Sequence, residues 1–230
     1  QSMNTARIAI IGHGKMGRAV EDVAAAAGLS VVAVLDRAAV INADSLCGAN
    51  VAIEFSEPSS AIANAKACID AECSVVIGTT GWYDQLDALA AYARERDGSI
   101  LWSANFSLGV HALAQLVREA GVLFSSLGGF DAQIVETHHT AKKDAPSGTA
   151  LLLQRQVEST LGRPVPITSI RIGSVPGTHE LVLDAAFEQI VISHEARDRR
   201  VFAEGAIAAA RWLVGRRGVF TLADVLNPGD

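Results

Sequence analysis

Residues 7–37 constrain this chain more tightly than any other stretch. Arg7 to Ile11 (RIAII) is a short apolar run that breaks into Gly12-His13-Gly14-Lys15-Met16-Gly17. An Ala-rich helical stretch follows from Arg18 to Ala27, and a second apolar run from Val31 to Leu35 ends in Asp36-Arg37. Strand, glycine turn, helix and strand in that order predict a βαβ unit with parallel strands. Gly12 permits a tight turn, Gly14 lets backbone approach a pyrophosphate, and Gly17 lets the helix pack close to the sheet. The helix start then faces phosphates with its N–H groups. A lone G-x-G-x-x-G says little, but here an acidic residue, Asp36, ends the next strand about twenty positions on, the spacing of a dinucleotide site. Asp36 would accept hydrogen bonds from ribose hydroxyls and favours NADH. Arg37 and Lys15 could meet a 2′-phosphate and favour NADPH, so the residues point both ways.

The alternation continues. Val51 to Phe55 reads as a strand, Pro58 to Ala71 as a helix opened by Ser56 and Pro58, and Val75 to Ile77 as a strand. Tyr83 to Arg96 reads as a helix closing at Gly98, and Ile100 to Trp102 as a further strand. Continuous apolar strands alternating with helices predict a parallel sheet covered on both faces. Gly78-Thr79-Thr80-Gly81 and Ser103-Ala104-Asn105-Phe106 stand at strand ends, where an open α/β sheet collects ligand contacts, although both also suit ordinary turns.

After Asn105 the rhythm changes. His111 to Phe124 is an amphipathic helix, Ala132 to Thr137 a strand, and Ser147 to Leu161 a second helix. Thr168 to Ile172, Glu180 to Phe187 and Gln189 to His194 then follow as strands with no helix between them, which predicts a second domain of α+β type with a mixed sheet. The last helix runs from Val201 to Arg216 and stops at Gly218. The longest apolar stretch, Val23 to Leu35, is interrupted by Gly28 and Ser30 and is shorter than the ~20 residues a membrane span requires. With no signal-peptide layout either, a soluble, cytoplasmic protein is expected, and a net charge of −6 argues against a nucleic-acid or anionic-membrane partner. Cys47, Cys68 and Cys73 match no metal or redox spacing and are expected to be buried reduced thiols.

Positive charge in an acidic chain must be local if the substrate is an anion, and one segment provides it. Glu136 to Ala150 (ETHHTAKKDAPSGTA) gathers His138, His139, Lys142 and Lys143, two of the six histidines and two of only four lysines. It ends in Pro146-Ser147-Gly148-Thr149, where Ser147 can cap a helix whose first N–H groups, at Gly148 and Thr149, would bind a carboxylate. Hydride delivery to a C=C–C=N system leaves carbanion-like charge that a nearby histidine or lysine must quench. A solvated basic loop with satisfied histidines is the plainer alternative. No metal is expected, since the His138-His139 pair has no acidic or thiol partners at ligand spacing.

With these segments in view, the chain resembles the 4-hydroxy-tetrahydrodipicolinate reductases, long called dihydrodipicolinate reductases, of bacterial diaminopimelate and lysine biosynthesis. The resemblance rests on the glycine turn, VIGTTGW at Val76 to Trp82, SANFSLGV at Ser103 to Val110, ETHHTAKKDAPSGTA, and ISHEARDRRVFAEGAIAAARWL at Ile192 to Leu213. It implies a Rossmann-type domain over residues 1–106, completed by 205–230, and a smaller α+β substrate and oligomerisation domain over 107–204. It implies NADH- or NADPH-dependent reduction of a small dicarboxylate, with His138 as acid/base, Lys142 as proton donor, and His139, Gly148 and Thr149 on the substrate carboxylates. Gly12, Gly14, Lys15, Met16, Gly17, Asp36, Arg37, Gly78, Thr79, Thr80, Ser103, Ala104, Asn105 and Phe106 would hold the cofactor. A homotetramer built through the second domain's sheet is implied as well. Three departures bear on cofactor preference: the shorter turn with His13 inside it, the short segment between Asp36 and Val51, and Lys143 where an apolar residue is common. Another Rossmann oxidoreductase of small acids, or a non-catalytic dinucleotide sensor, would share the glycine turn but has no need of the His-His/Lys loop.

Overall fold

A computed structural model describes residues 5–226. The ends of the first expected domain, 1–4 and 227–230, lie outside the described residues. In chain order the elements are β1 (Arg7–Ile11), α1 (Lys15–Ala26), β2 (Ser30–Leu35), β3 (Val51–Glu54), α2 (Pro58–Asp70), β4 (Ser74–Ile77), α3 (Leu86–Glu95) and β5 (Ser99–Trp102). Then come α4 (Leu108–Ser125), β6 (Asp131–His138), α5 (Gly148–Leu161), β7 (Ile167–Arg171), β8 (Gly177–Ala185) and β9 (Glu188–Ala196). The chain closes with α6 (Arg200–Leu213), β10 (Gly218–Thr221) and α7 (Leu222–Leu226). Two compact units result: residues up to Phe106 together with those from Arg200 onward, and Ser107–Arg199. The chain re-enters the first unit at Arg200, ahead of the position near 205 that the resemblance implied, because α6 starts there as one uninterrupted helix.

In the first unit six parallel strands lie in the order β10-β5-β4-β3-β1-β2. Helices cover both faces, which is why β3 and β4 are buried at every position and are apolar apart from Glu54 and Ser74. Ile8, Ile10, Ile53, Val75 and Val76 are inaccessible to solvent, each such burial contributing about 1.5–3 kcal/mol. The order reverses between β1 and β3: β2 lies to one side of β1, while β3, β4 and β5 follow on the other. The crevice beyond the carboxyl ends of the strands opens at that reversal, and ligands of open α/β sheets bind there. Strand β10 escaped the sequence reading because only Val219 and Phe220 are apolar between Gly218 and Thr221; its parallel pairing with β5 gives it a place. Cys47 is exposed, contrary to expectation, because it lies in the turn after Leu46 rather than in a strand. Cys68 and Cys73 are buried, and burial pushes the Cys73 thiol up to about 12.

The second unit has a four-stranded mixed sheet, β7-β6-β8-β9, with β6 parallel to β7 and antiparallel to β8. Helices α4 and α5 pack over one face, where Ile134, Leu153, Val157, Leu181 and Leu183 form the core. Helix α4 starts earlier than expected because Ser107 caps it, its hydroxyl accepting a hydrogen bond from Val110 N at 3.2 Å. Ala185 pairs with Glu188, so Ala186-Phe187 is a two-residue hairpin turn and Phe187 stands fully exposed. Neither residue is a turn former, which is why the sequence extends the strand through Phe187. Among the described residues no helix is long and apolar enough to cross a membrane.

Candidate functional site

The glycine turn sits at the strand-order reversal of the first unit. Gly12 has φ +89°, and a Cβ there would lie 2.2 Å from Phe55 O, so only glycine fits. A Cβ on Gly17 would fall 2.0 Å from Gly12 O, since the first turn of α1 is packed directly under the loop. Gly14 is the N-cap of α1, has no side chain to cap the helix, and faces open space on its Cβ side. The first N–H groups of α1 therefore open on accessible volume, the arrangement that binds phosphate.

Two cavities adjoin there, sharing Gly14, Phe55 and Ser56. One of about 380 Å³ is lined by Gly12, His13, Asp36, Arg37, Glu57 and Asn64 among others. The second, about 430 Å³, is lined by Lys15, Met16, Pro58, Gly78, Thr79 and Thr80 as well as the shared residues. A dinucleotide fits this arrangement: a carboxylate at the end of β2, a backbone turn that admits no Cβ at Gly12 or Gly17, and a helix start between the two cavities. Asp36 Oδ1 accepts a hydrogen bond from Ala38 N at 3.0 Å, and the Arg37 guanidinium is paired with the Glu57 carboxylate. His13 Nε2 meets Glu21 Oε2 at 2.7 Å. Thr79 Oγ1 accepts from Ser56 N at 2.8 Å and ties the end of β4 to the end of β3.

Not every expected cofactor residue lies in these walls. Gly17 lies beneath the turn, and Ser103, Ala104 and Asn105 form their own turn after β5, with Ser103 Oγ donating to Asn105 O at 2.7 Å. Phe106 is buried, its ring edge-on to Phe55 at 6.1 Å between centroids, so it backs a lining residue. Conversely, Phe55, Ser56, Glu57 and Asn64 line the cavity without having been singled out. For Phe55, Ser56 and Glu57 the available signal was their position just beyond β3, across the switch point from β1, while Asn64 reaches the cavity from the second turn of α2.

In the second unit β6 brings Glu136 and His138 to the same buried face, because alternate residues of a strand point the same way. Glu136 is inaccessible to solvent. One of its oxygens accepts from Arg171 Nη2 at 2.8 Å and from Ser147 N at 3.3 Å. The other accepts from His138 Nδ1. Burial alone would raise the Glu136 carboxyl, but hydrogen bonds from Arg171, Ser169 and His138 outweigh it and hold the group down at about 2. Burial also dominates at His138 and lowers its affinity for a proton; Glu136 pulls the other way, and the Lys142 and Arg171 charges add to the lowering. His138 is thus neutral near pH 7, its proton on Nδ1 facing the carboxylate and its Nε2 carrying a lone pair. A Cβ on Gly177 would lie 3.1 Å from that Nε2, so the glycine keeps the nitrogen uncovered.

The loop after β6 is pinned by its backbone. His139 N donates to Val175 O at 2.8 Å, Lys142 N to His139 O at 3.1 Å, and Arg171 Nη2 to Asp144 O at 2.7 Å. Lys142 Nζ lies 2.8 Å from Asp144 Oδ1, and this contact holds the Asp144 carboxyl below its usual range. Ser147 caps α5, its hydroxyl accepting from Ala150 N at 3.2 Å. Gly148 and Thr149 stand in the first turn of α5. His179, on β8, places Nε2 3.2 Å from Ser147 Oγ and its ring 5.0 Å from that of His138; burial holds it neutral, down to about 4.

Glu136, His138, Lys142, Ser147, Arg171 and His179 are thus brought together; the sequence had assigned no role to Glu136 or Arg171 and had offered His179 only as a lining residue of the substrate cleft. Alternation along β6 could have revealed Glu136. Arg171 needs the parallel pairing of His138 with Arg171, and His179 the antiparallel pairing of Glu136 with His179, both long-range. Among the described residues Glu136, His138 and His179 also offer ligand atoms within 4.8 Å of one another, acidic and imidazole partners that sequence spacing had not supplied. The carboxylate there is already engaged by Arg171, Ser147 and His138, which makes the cluster a hydrogen-bonded network.

A Rossmann-type unit with a dinucleotide cradle at its switch point, joined in one chain to a unit with a carboxylate-oriented histidine, belongs to the nicotinamide-dependent oxidoreductases. Comparison with known proteins narrows the class. Residues 6–106 match the model of the dihydrodipicolinate reductase N-terminus and residues 109–226 that of its C-terminus. The chain is 32% identical to a 4-hydroxy-tetrahydrodipicolinate reductase of Christiangramia forsetii, covering 96% of this chain and 97% of the relative. It is 42% identical to the enzyme of that name from Gluconobacter oxydans over 77% of each. Among solved structures, the dipicolinate-bound dihydrodipicolinate reductase of Paenisporosarcina sp. TG-14 shares the fold, with a TM-score of 0.80 at 21% identity over 96% of this chain and 99% of that one. This chain belongs to the dihydrodipicolinate reductase family, whose members use NADH or NADPH.

Proposed function

We propose that this chain reduces 4-hydroxy-tetrahydrodipicolinate to tetrahydrodipicolinate in diaminopimelate and lysine biosynthesis. The observation that carries this reading is the buried Glu136–His138 pair set beside Lys142 and the capped start of α5. Replacing the 4-hydroxyl by hydrogen consumes one hydride and one proton and releases water. The nicotinamide, when bound, supplies the hydride. His139 and the backbone of Gly148 and Thr149 hold the substrate carboxylates, as a helix start suits an anion. The Lys142 ammonium delivers the proton, and Asp144 holds it within the loop. His138, its Nδ1–H fixed by Glu136, presents Nε2 to receive or pass on a proton, and Arg171 keeps Glu136 ionised for that task. The cavities of the first unit take the dinucleotide: Gly12 and Gly14 approach the pyrophosphate, Asp36 the ribose, and Gly78, Thr79 and Thr80 the wall beyond it.

A homotetramer is the assembly this reading favours. Helices cover one face of the four-stranded sheet, while Val135, Val182 and Val191 share the other with the exposed Ile170. That face mixes these apolar side chains with Gln133, Glu180 and Ser193, a composition that suits packing against a second sheet as an interface between chains. The same reading places the chain in the cytoplasm. The test is oxidation of NADH and of NADPH, followed optically, with the product of dihydrodipicolinate synthase supplied freshly. Turnover should require that product, and its absence with both cofactors would overturn the reading. Light scattering should give a four-chain mass, and Val182→Lys should lower it.

A further inference from the structure

The cavity that holds Asp36 also holds a charge arrangement that decides what its far end can accept. Arg37 is the one basic residue in that wall with a guanidinium able to grip a phosphate; Lys15 lines the other cavity. Arg37 is not available on its own terms, because its Nη2 is paired with Oε1 of Glu57. Glu57 is the N-cap of α2, in extended conformation with no side-chain bond to its own helix, so its carboxylate is directed by the chain entering Pro58 and not by capping. Asp36 adds a second carboxylate to the same wall, one oxygen already accepting from Ala38 N. The wall therefore carries two negative charges against one positive.

We propose that Glu57 is a selectivity residue: paired with Arg37 beside Asp36, it sets this chain to take a dinucleotide with a free ribose diol, NADH, over one carrying a 2′-phosphate. The inference rests on the reading that this cavity receives the adenosine half. A ribose diol is neutral and donates hydrogen bonds, which suits a carboxylate-rich wall. A 2′-phosphate carries up to two negative charges. Turning Arg37 toward it leaves Glu57 unpaired against that phosphate, and leaving Arg37 in place leaves the phosphate facing carboxylates. The pair is solvent-exposed, with side chains 78% and 51% accessible, so it is weak as a bond. It acts through charge, and its effect is bounded accordingly: a preference of about tenfold, equivalent to about 1.4 kcal/mol, that shrinks in high salt.

Equilibrium binding tests this without reference to turnover. Dissociation constants for NADH, NADPH, adenosine 5′-monophosphate and adenosine 2′,5′-bisphosphate are measured by calorimetry on the wild-type chain, Glu57→Gln, Glu57→Ala, Arg37→Ala and the double variant Arg37→Ala/Glu57→Gln. All substitutions lie at exposed side chains, so folding is preserved. The wild type should bind NADH more tightly. Either Glu57 variant should tighten NADPH and the bisphosphate about tenfold while NADH and the monophosphate stay within threefold. The double variant should lose that gain, because Arg37 is the group Glu57 releases. Equal wild-type affinities, or a Glu57→Gln ratio within twofold of wild type, would overturn the proposal. Gly14→Val separates this from the cavity reading itself: a side chain fits there in the empty protein but obstructs a pyrophosphate. If that variant binds both dinucleotides as well as wild type, the nucleotide lies elsewhere, and the failure belongs to the cavity reading.

Discussion

Replacing Glu136 by Gln removes one charge and almost no volume, and the consequences can be worked from its surroundings. The carboxyl is held at about 2 against an ordinary 4.5, so the native fold prefers its ionised form by roughly 3 kcal/mol. A group with a lowered folded-state value contributes stability that is fully present above its unfolded value and is lost as pH falls through the folded one. The variant should therefore be less stable than wild type by roughly 2–3 kcal/mol at pH 7, with Arg171, only 19% exposed, left without its counter-charge. That difference should shrink steadily between pH 4.5 and 2 as the wild-type carboxyl itself takes up a proton. Activity should suffer separately. A glutamine turns an N–H toward His138 Nδ1, driving the imidazole proton to Nε2, and without the carboxylate the histidine should titrate lower still. Turnover should fall by about 10²–10³-fold, within the range of an acid/base defect, with dinucleotide affinity unchanged. Urea unfolding across pH, paired with steady-state kinetics, measures both. A stability difference independent of pH, or near-normal turnover, would refute the reasoning.

Three further outcomes are expected. His138→Ala and Lys142→Ala should each cut turnover by about 10²–10⁴-fold while calorimetry shows NADH binding intact, since neither residue belongs to the first unit; a variant of either with near-wild-type rate removes it from the mechanism. Gly17→Ala places a Cβ 2.0 Å from Gly12 O, so the turn must open. Dinucleotide affinity should drop by about a hundredfold and stability by about 1–3 kcal/mol, and unchanged affinity would show that the cradle is not needed. His179, held at about 4 against an ordinary 6.5, resists protonation in the fold, so the protein loses stability as pH falls through that interval. His179→Gln should flatten the decline by up to roughly 3 kcal/mol; an equally steep acid limb in the variant assigns the decline to other groups.

Local patterns in the sequence determined the parallel unit and the chemistry it carries. Glycines at 12, 14 and 17 impose a backbone path that few other structures use, and unbroken apolar strands such as Val51 to Ile53 admit burial on both faces only. Composition alone concentrated His138, His139, Lys142 and Lys143 into one loop ending in a helix cap. Tertiary structure decided what these groups face. Arg171 reaches Glu136 only because β7 lies parallel to β6, and His179 meets Ser147 only because β8 lies antiparallel on the other side, pairings set by packing of the whole sheet against α4 and α5. Strand β10 has too few apolar residues to declare itself and exists because β5 offers an edge. Glu57 carries no signal in the sequence; its place depends on the strand order, which sets β2 and β3 on either side of β1 so that their ends share one cavity. Backbone preference and burial period are properties of neighbouring residues and can be read in one dimension. Charge pairing and tautomer depend on which distant strand lies alongside, and that is settled only when the chain is packed.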